Sequence, residues 1–335
     1  MKRIPIWGDV IPYNSSRSKL PDMKIDYKKK SKSMAMLRYA MSGIRGDAFH
    51  DSRSVTDTWT YLAEIRPGFS KETYEDVPYI TPFLVPGSRR AVLIVPGGGF
   101  SYKQSDLDGE GKQGEGDLVA KELNRAGISA FVLWYRTNPY RFPVPLMDMQ
   151  RAVRFIRFHA EEFGLNPKKI SAIGFSAGGY EVAGLMNILH GESVFPSDYT
   201  ADEVDATSDQ LETAGLIYPC VSFQCLYPLM NACFTEEQLN SEEKRQSLYK
   251  RYSCVENYCS ENTPQFFCYG GKDASIPLVH EQAYLAKLKE TRTDHKVLFL
   301  PSAPHGFGAH PVKMKKYGWW ISEYLDWYNL QTQSQ

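Results

Sequence analysis

Residues 171–179 read Ser-Ala-Ile-Gly-Phe-Ser-Ala-Gly-Gly, an apolar run ending in a G-x-S-x-G pentapeptide centred on Ser176. A serine at the tip of a sharp strand-to-helix turn needs neighbours without bulk, and Gly174, Ala177, Gly178 and Gly179 supply them. A chain this rich in glycine produces about 0.1 such pentapeptides by accident, so the surroundings have to decide the reading.

The surroundings repeat one unit. From residue 91 onward, short Val- and Ile-rich runs alternate with longer amphipathic stretches, the pattern of βα units and a mainly parallel sheet. Strands are predicted at 91–95, 128–134, 169–175, 214–218, 265–269 and 296–300, and helices at 115–126, 145–163, 177–190, 278–290 and 312–329. The second helix is the clearest. Leu146, Met149, Val153, Ile156 and Phe163 recur at three- and four-residue intervals, while Arg151, Arg154, Arg157, Glu161 and Glu162 take the other face. Gly164 ends it, and Asn166-Pro167 marks the turn into the next strand.

Two segments, 191–213 and 220–262, interrupt this rhythm with acidic and aromatic loops, the second carrying a short helix near 236–252. Insertions over the carboxyl edge of a parallel sheet shape its site, and both segments are expected there. Residues 1–77 are polar with scattered aromatics such as Tyr39, Phe49, Trp59 and Tyr61. They are expected to pack on the sheet or over its mouth, as an extension to a main domain spanning 78–330.

The bulk composition narrows the class. With 335 residues, 42% of them hydrophobic, the chain can build one large core. Thirty-nine basic and 39 acidic residues cancel, so no overall field draws it to nucleic acid or to an anionic membrane. The basic run Lys28, Lys29, Lys30 and Lys32 reads as solvated surface. No apolar segment follows Lys2 and Arg3, and no run reaches the roughly 18 residues of a membrane span, so a soluble cytoplasmic protein is expected. Six cysteines (Cys220, Cys225, Cys233, Cys254, Cys259 and Cys268) form no C-x-x-C pair, which points to reduced, mostly buried thiols.

A serine hydroxyl needs a base, a group that orients the base, and donors for an oxyanion. The strand at 91–95 runs into Pro96-Gly97-Gly98-Gly99-Phe100, where backbone N–H groups are free to approach a ligand closely. That run lacks the Gly-Lys-Ser/Thr ending of a phosphate loop and the spacing of a dinucleotide site. Downstream, Asp273 follows a strand in Gly270-Gly271-Lys272-Asp273, and His305 follows another in Pro304-His305-Gly306-Phe307-Gly308. Taken singly, Asp273 is a helix cap and His305 a loop histidine. Taken in the order Ser176, Asp273, His305, each after a strand, they form a nucleophile, acid and base. Asp294 opens a strand and belongs at the opposite edge, while His159 and His280 fall on helices and His310 lies just beyond His305. No H-x-x-x-H occurs, and Asp106, Asp108 and Glu110 lack the full calcium-loop pattern, so neither a metal nor a cofactor is expected. Phe100, Tyr102, Phe223 and Tyr227 are candidates to stack on a sugar ring.

Several segments together carry a family likeness: Pro-Gly-Gly-Gly-Phe at 96–100, Glu115-Gly116, Trp134-Tyr135-Arg136, residues 145–152, Gly174 to Gly179, Gly271-Lys272-Asp273 and His305 to Gly308. They resemble the α/β-hydrolase esterases related to hormone-sensitive lipase. Within that group the chain looks most like the bacterial branch described as acetyl-xylan-esterase-like, which removes small acyl groups from carbohydrates. The resemblance covers about residues 78–330 and implies a mainly parallel central sheet flanked by helices. It implies Ser176 as nucleophile, His305 as base, Asp273 as its partner, and the N–H groups of Gly98, Gly99 and Ala177 as oxyanion hole. The implied partner is a small-molecule or oligosaccharide ester; a homo-oligomer is left open. Two departures stand out: Pro96 replaces the histidine of the usual H-G-G-G motif, and the acid turn reads Gly-Lys-Asp-Ala-Ser instead of Asp-Asp-x-Val. A prolyl-oligopeptidase-like peptidase would use the same triad but needs a propeller that 335 residues do not house. A non-catalytic binding protein of the same fold would have no use for the triad.

Overall fold

The computed structural model describes residues 2–14, 77–101, 103, 114–138, 140–224, 227–259 and 263–333. Their strands are β1 (Ile4–Pro5), β2 (Tyr79–Phe83), β3 (Ala91–Val95), β4 (Ser129–Trp134), β5 (Ile170–Phe175), β6 (Ala214–Ile217), β7 (Gln265–Lys272) and β8 (His295–Pro304). The helices are α1 (Asp117–Arg125), α2 (Val144–Phe158), α3 (Ala177–Gly184), α4 (Tyr227–Cys233), α5 (Glu236–Leu239), α6 (Glu242–Arg251), α7 (Leu278–Glu290), α8 (Pro311–Tyr317) and α9 (Trp319–Gln333).

The strands form one sheet in the order β1-β2-β4-β3-β5-β6-β7-β8. β1 and β2 run antiparallel at one edge, and β4 through β8 are mutually parallel. Strand β3, Ala-Val-Leu-Ile-Val, is buried at every position, as a parallel strand covered on both faces must be. Alternate residues feed the two layers. Leu93 and Val95 join Leu146, Val153 and Tyr180 on one side, while Val92 and Ile94 join Val119, Leu123 and Trp320 on the other.

All six predicted strands are present, with β7 and β8 running longer, to Lys272 and Pro304. The periodicity did not disclose β2. Its Pro82 reads as a strand breaker, but β1 pairs only Tyr79 and Ile80, so Pro82 occupies an edge where proline is tolerated. The helix predicted at 177–190 continues past Gly184 as a π turn, Leu185–Leu189, and the one predicted at 312–329 is divided into α8 and α9.

The placement expected for 191–213 is corrected. Helix α3 and its π turn have already returned the chain from the carboxyl edge, so 191–213 enters the amino end of β6 and lies over α2. Arg151 donates to Asp202 and Asp205, and Arg154 pairs with Asp209 at 3.5 Å. The arginine face of α2 is therefore covered, with Arg151 3% and Arg154 5% exposed. Only 220–262 leaves the carboxyl end of β6.

Residues 2–14 pack on the same helix. Asp148 on α2 accepts a fork from Arg136 at 2.7 and 2.9 Å and the indole N–H of Trp7 at 2.8 Å, while Arg136 also donates to the Pro12 carbonyl. Both charged side chains are fully buried, a pairing that the desolvation of two charges makes obligatory. The lysine run at 28–32, Tyr39, Phe49, Trp59, Tyr61, Tyr102, Asp106, Asp108, Glu110 and Cys225 lie outside the described residues. Cys220, Cys233, Cys254 and Cys268 are buried free thiols, and Cys259 is half-buried. Among the described residues no helix is long and apolar enough to cross a membrane.

Candidate active site

β5 ends at Phe175 and α3 begins at Ala177, so Ser176 alone makes the turn. Its φ of 54° is left-handed, which costs a residue with a Cβ about 1–2 kcal/mol. Three backbone hydrogen bonds hold it there. Ser176 N donates to the Ile217 carbonyl at 3.0 Å, and the Ser176 carbonyl accepts from Tyr180 N at 3.1 Å and Cys220 N at 3.0 Å. The glycines of the motif are required by contact: a Cβ on Gly174 would lie 2.1 Å from the Gly178 carbonyl oxygen, and one on Gly178 would lie 2.0 Å from that of Val95.

The turns after β7 and β8 bring the other two residues to this serine. His305 Nε2 is 2.8 Å from Ser176 Oγ, and His305 Nδ1 is 2.7 Å from Asp273 Oδ2. The Asp273 side chain is fully buried and that of His305 is 19% exposed. Asp273 Oδ1 accepts from the N–H groups of Ser275 and Ile276 at 2.8 and 2.9 Å, which fixes the carboxyl plane and leaves Oδ2 for the histidine. The turn-forming and histidine-holding hydrogen bonds of Asp273 thus coexist on its two oxygens. Asp294 instead accepts from Gln331, and His310 accepts from Val312 N as the cap of α8.

The glycine loop after β3 closes the site from a third direction. Gly98 and Gly99 both have positive φ, 131° and 61°, and a Cβ on Gly97 would lie 2.9 Å from Ser176 Cβ. Three partners pin the loop: Gly97 N donates to Glu115 Oε2 at 2.8 Å, Tyr135 OH to the Pro96 carbonyl at 2.8 Å, and Asn138 N to the Phe100 carbonyl at 2.7 Å. Among the described residues, the N–H groups of Gly98, Gly99 and Ala177 have no hydrogen-bond acceptor. Ala177 opens α3, so its N–H also carries the positive end of a helix.

The stacking role expected for Phe100 and Phe223 is corrected. Phe100 is 1% exposed and its ring packs on Phe142, Tyr180 and Phe223 at 5.1, 5.8 and 6.0 Å, so it belongs to the core. Tyr102 and the Tyr227 side chain lie outside the described residues.

Two residues escaped the sequence reading. Tyr218, at the end of β6, packs its ring edge-on to His305 with centroids 5.0 Å apart. Its hydroxyl donates to Glu115 Oε1 at 2.8 Å and accepts from Gly308 N at 3.1 Å. Burial raises the Glu115 carboxyl above its ordinary range, opposed by the Gly97 and Tyr218 hydrogen bonds and by the charges of His305 and Lys313. Glu115 was visible as a segment of the family likeness, yet nothing local assigns it a task. Tyr218 carried no signal beyond its strand. Among the described residues no group of three or more His, Cys, Asp or Glu could hold a metal ion.

The BD-FAE family profile matches residues 85–288, more than half of the chain. This chain belongs to the BD-FAE family. It is 28% identical over 229 residues to endo-1,4-beta-xylanase B of Butyrivibrio fibrisolvens, covering 65% of this chain and 32% of that protein. It is 24% identical over 224 residues to the acetylxylan esterase of Xylanibacter ruminicola, covering 66% and 42%. The chain therefore spans less than half the length of these two relatives. Among solved structures, the acetyl ester-xyloside bifunctional hydrolase from Caldicellulosiruptor lactoaceticus is similar with a TM-score of 0.65 and 25% identity, covering 79% of this chain and 91% of that one. MGS-M1, an α/β hydrolase enzyme from a Medee basin deep-sea metagenome library, has a TM-score of 0.54 and 20% identity over 76% of this chain and 92% of its own, and it shows the fold alone. The fold is that of the α/β hydrolases, as the sequence resemblance implied.

Proposed function

We propose that this member of the BD-FAE family is a serine carboxylic ester hydrolase that removes short acyl groups, acetyl above all, from carbohydrates such as xylo-oligosaccharides. One observation carries the reading: an unbroken line of hydrogen bonds from Asp273 through His305 to Ser176, on a strained elbow beside unpaired N–H groups. Asp273 Oδ2 accepts, so the imidazole proton sits on Nδ1 and Nε2 turns its lone pair to Ser176 Oγ.

Ser176 Oγ then bonds to the ester carbonyl carbon while its proton passes to His305 Nε2. The carbonyl oxygen becomes an oxyanion and takes the N–H groups of Gly98, Gly99 and Ala177, each worth about 3 kcal/mol in the transition state. Collapse of the intermediate breaks the bond to the sugar oxygen, which leaves with the proton from Nε2. Water, deprotonated by His305, attacks the acyl-enzyme, and the free acid departs as Ser176 regains its proton. The named activities of the acetylxylan esterase and of the acetyl ester-xyloside hydrolase support the ester and the xylan context. The xylanase match covers 32% of that protein, so no glycosidic cleavage is carried over.

The test is hydrolysis of p-nitrophenyl acetate, butyrate and octanoate beside acetylated xylo-oligosaccharides, with Ser176→Ala as control. The expected result is acetate release that falls with acyl length and vanishes in the variant. A Ser176→Ala protein as active as the wild type would remove the nucleophile, and preference for octanoate would remove the acetyl-carbohydrate assignment. Turnover of aminoacyl amides without esters would restore the peptidase.

A further inference from the structure

We propose that Glu115 is a positioning residue of this reaction: its carboxylate holds the oxyanion loop and, through Tyr218, the histidine loop, and its charge supports the imidazolium as it forms. The inference rests on the esterase reading above. One side chain joins parts of the chain that the sheet brings together only at its carboxyl edge. Glu115 Oε2 accepts from Gly97 N, 18 residues away, and Oε1 accepts from Tyr218 OH, 103 residues away. Tyr218 OH has its own proton committed to Glu115, so it accepts from Gly308 N, three residues beyond His305.

Each of these bonds has a consequence at Ser176. With the Gly97 N–H turned towards Glu115, the next two N–H groups of the loop remain for the oxyanion. The loop is pressed against the elbow, since a Cβ on Gly97 would meet Ser176 Cβ at 2.9 Å and Glu115 Oε2 at 3.0 Å. On the other side, Tyr218 is itself held at a φ of 38°, with its N–H on the Cys268 carbonyl at 2.6 Å, and its ring edge supports the imidazole. Strain kept at a non-glycine residue next to a reacting base marks a place the fold over-determines.

The chemistry fits an anion. Both Glu115 oxygens accept hydrogen bonds, the pattern of an ionised carboxyl. A fully buried carboxyl is costly, and the Gly97 and Tyr218 hydrogen bonds offset part of that cost here. Among the described residues, the charged groups that face it are His305 and Lys313 of α8, whose ammonium donates to the Gly306 carbonyl in the same loop as His305. Glu115 thus offsets Lys313 and leaves the charge of Asp273 uncancelled to attract the proton that His305 takes from Ser176.

The experiment compares Glu115→Gln, Glu115→Asp and Tyr218→Phe with the wild type, reading kcat, KM and the pH profile of kcat/KM on p-nitrophenyl acetate, with Ser176→Ala as blank. Glu115→Gln is expected to lower kcat by about tenfold to a hundredfold with KM within about twofold. It also shifts the ascending limb of the profile to lower pH by about half a unit or more, because an uncompensated Lys313 disfavours the imidazolium. Glu115→Asp keeps the charge but is too short to hold both partners, so its limb returns towards the wild-type position while kcat stays low. Tyr218→Phe lowers kcat with a smaller shift of the limb. A purely structural Glu115 would lower the melting temperature and leave kcat and the limb in place, which overturns the inference. If Glu115→Gln does not fold, unchanged kcat and limb in Tyr218→Phe overturn it equally. Absence of Ser176-dependent turnover in the wild type would overturn the esterase reading and this role together, whereas wild-type turnover that Glu115→Gln leaves unaltered would overturn this role alone.

Discussion

Replacing Glu281 by glutamine should stabilise the protein, and by an amount that grows with pH. Glu281 lies on α7, just beyond the turn that carries Asp273, and its side chain is fully buried with no hydrogen-bond partner among the described residues for either oxygen. Burial first, and the nearby Asp273 second, push its carboxyl from an ordinary value of 4.5 up to about 9. The folded value is raised above the unfolded one, so the stabilising contribution is complete below pH 4.5 and is lost as the pH climbs towards 9. At pH 7 folding must draw a proton onto this group. At 1.36 kcal/mol per pH unit, the interval from 4.5 to 7 costs about 3 kcal/mol, whatever the folded value so long as it exceeds 7. Glutamine has the same shape and needs no proton. Urea unfolding followed by tryptophan fluorescence at pH 4.5, 7 and 8.5 should show a gain near zero at the lowest pH, about 3 kcal/mol at pH 7 and more at pH 8.5. An equal difference at all three pH values, or a less stable variant at pH 7, would refute the reasoning by showing that Glu281 is charged and satisfied in the fold.

Asp273→Asn should leave the fold intact and lower kcat on p-nitrophenyl acetate by about 10⁴, because the amide can favour the wrong imidazole tautomer. Gly178→Ala should cost more than about 4 kcal/mol, read as lost soluble yield or a collapsed melting temperature, since its Cβ would lie 2.0 Å from the Val95 carbonyl oxygen. Asp148→Ala should cost about 3–5 kcal/mol in urea unfolding by leaving the Arg136 guanidinium buried without its counter-ion.

What could be read in the sequence were features imposed by backbone sterics and by strand order. The elbow needs glycine wherever another backbone comes within contact, so Gly174 and Gly178 announce it, and the residues after two later strands had to fall at the same sheet edge as Ser176. What could not be read depends on which distant segment arrives. Helical period separates the apolar face of α2 from its arginine face, but only the docking of 191–213 decides that Arg151 and Arg154 meet aspartates instead of water. Phe100 is a loop aromatic in sequence and a core ring in space, because Phe142, Tyr180 and Phe223 come from three other segments. Glu115 and Tyr218 are ordinary residues until 103 positions of chain are folded between them.

The anchoring of the Gly308 carbonyl by the indole N–H of Trp320 carries a consequence for biosynthesis. Ser176 and Asp273 are translated well before His305, and the loop that presents His305 is tied to α9, which emerges later still. A nascent chain still lacking α9 outside the ribosome lacks one of the ties on that loop, the others being Asp273 on His305 and Tyr218 on Gly308 N. On the esterase reading proposed above, turnover is expected to reach its full level only once α9 has docked on this loop.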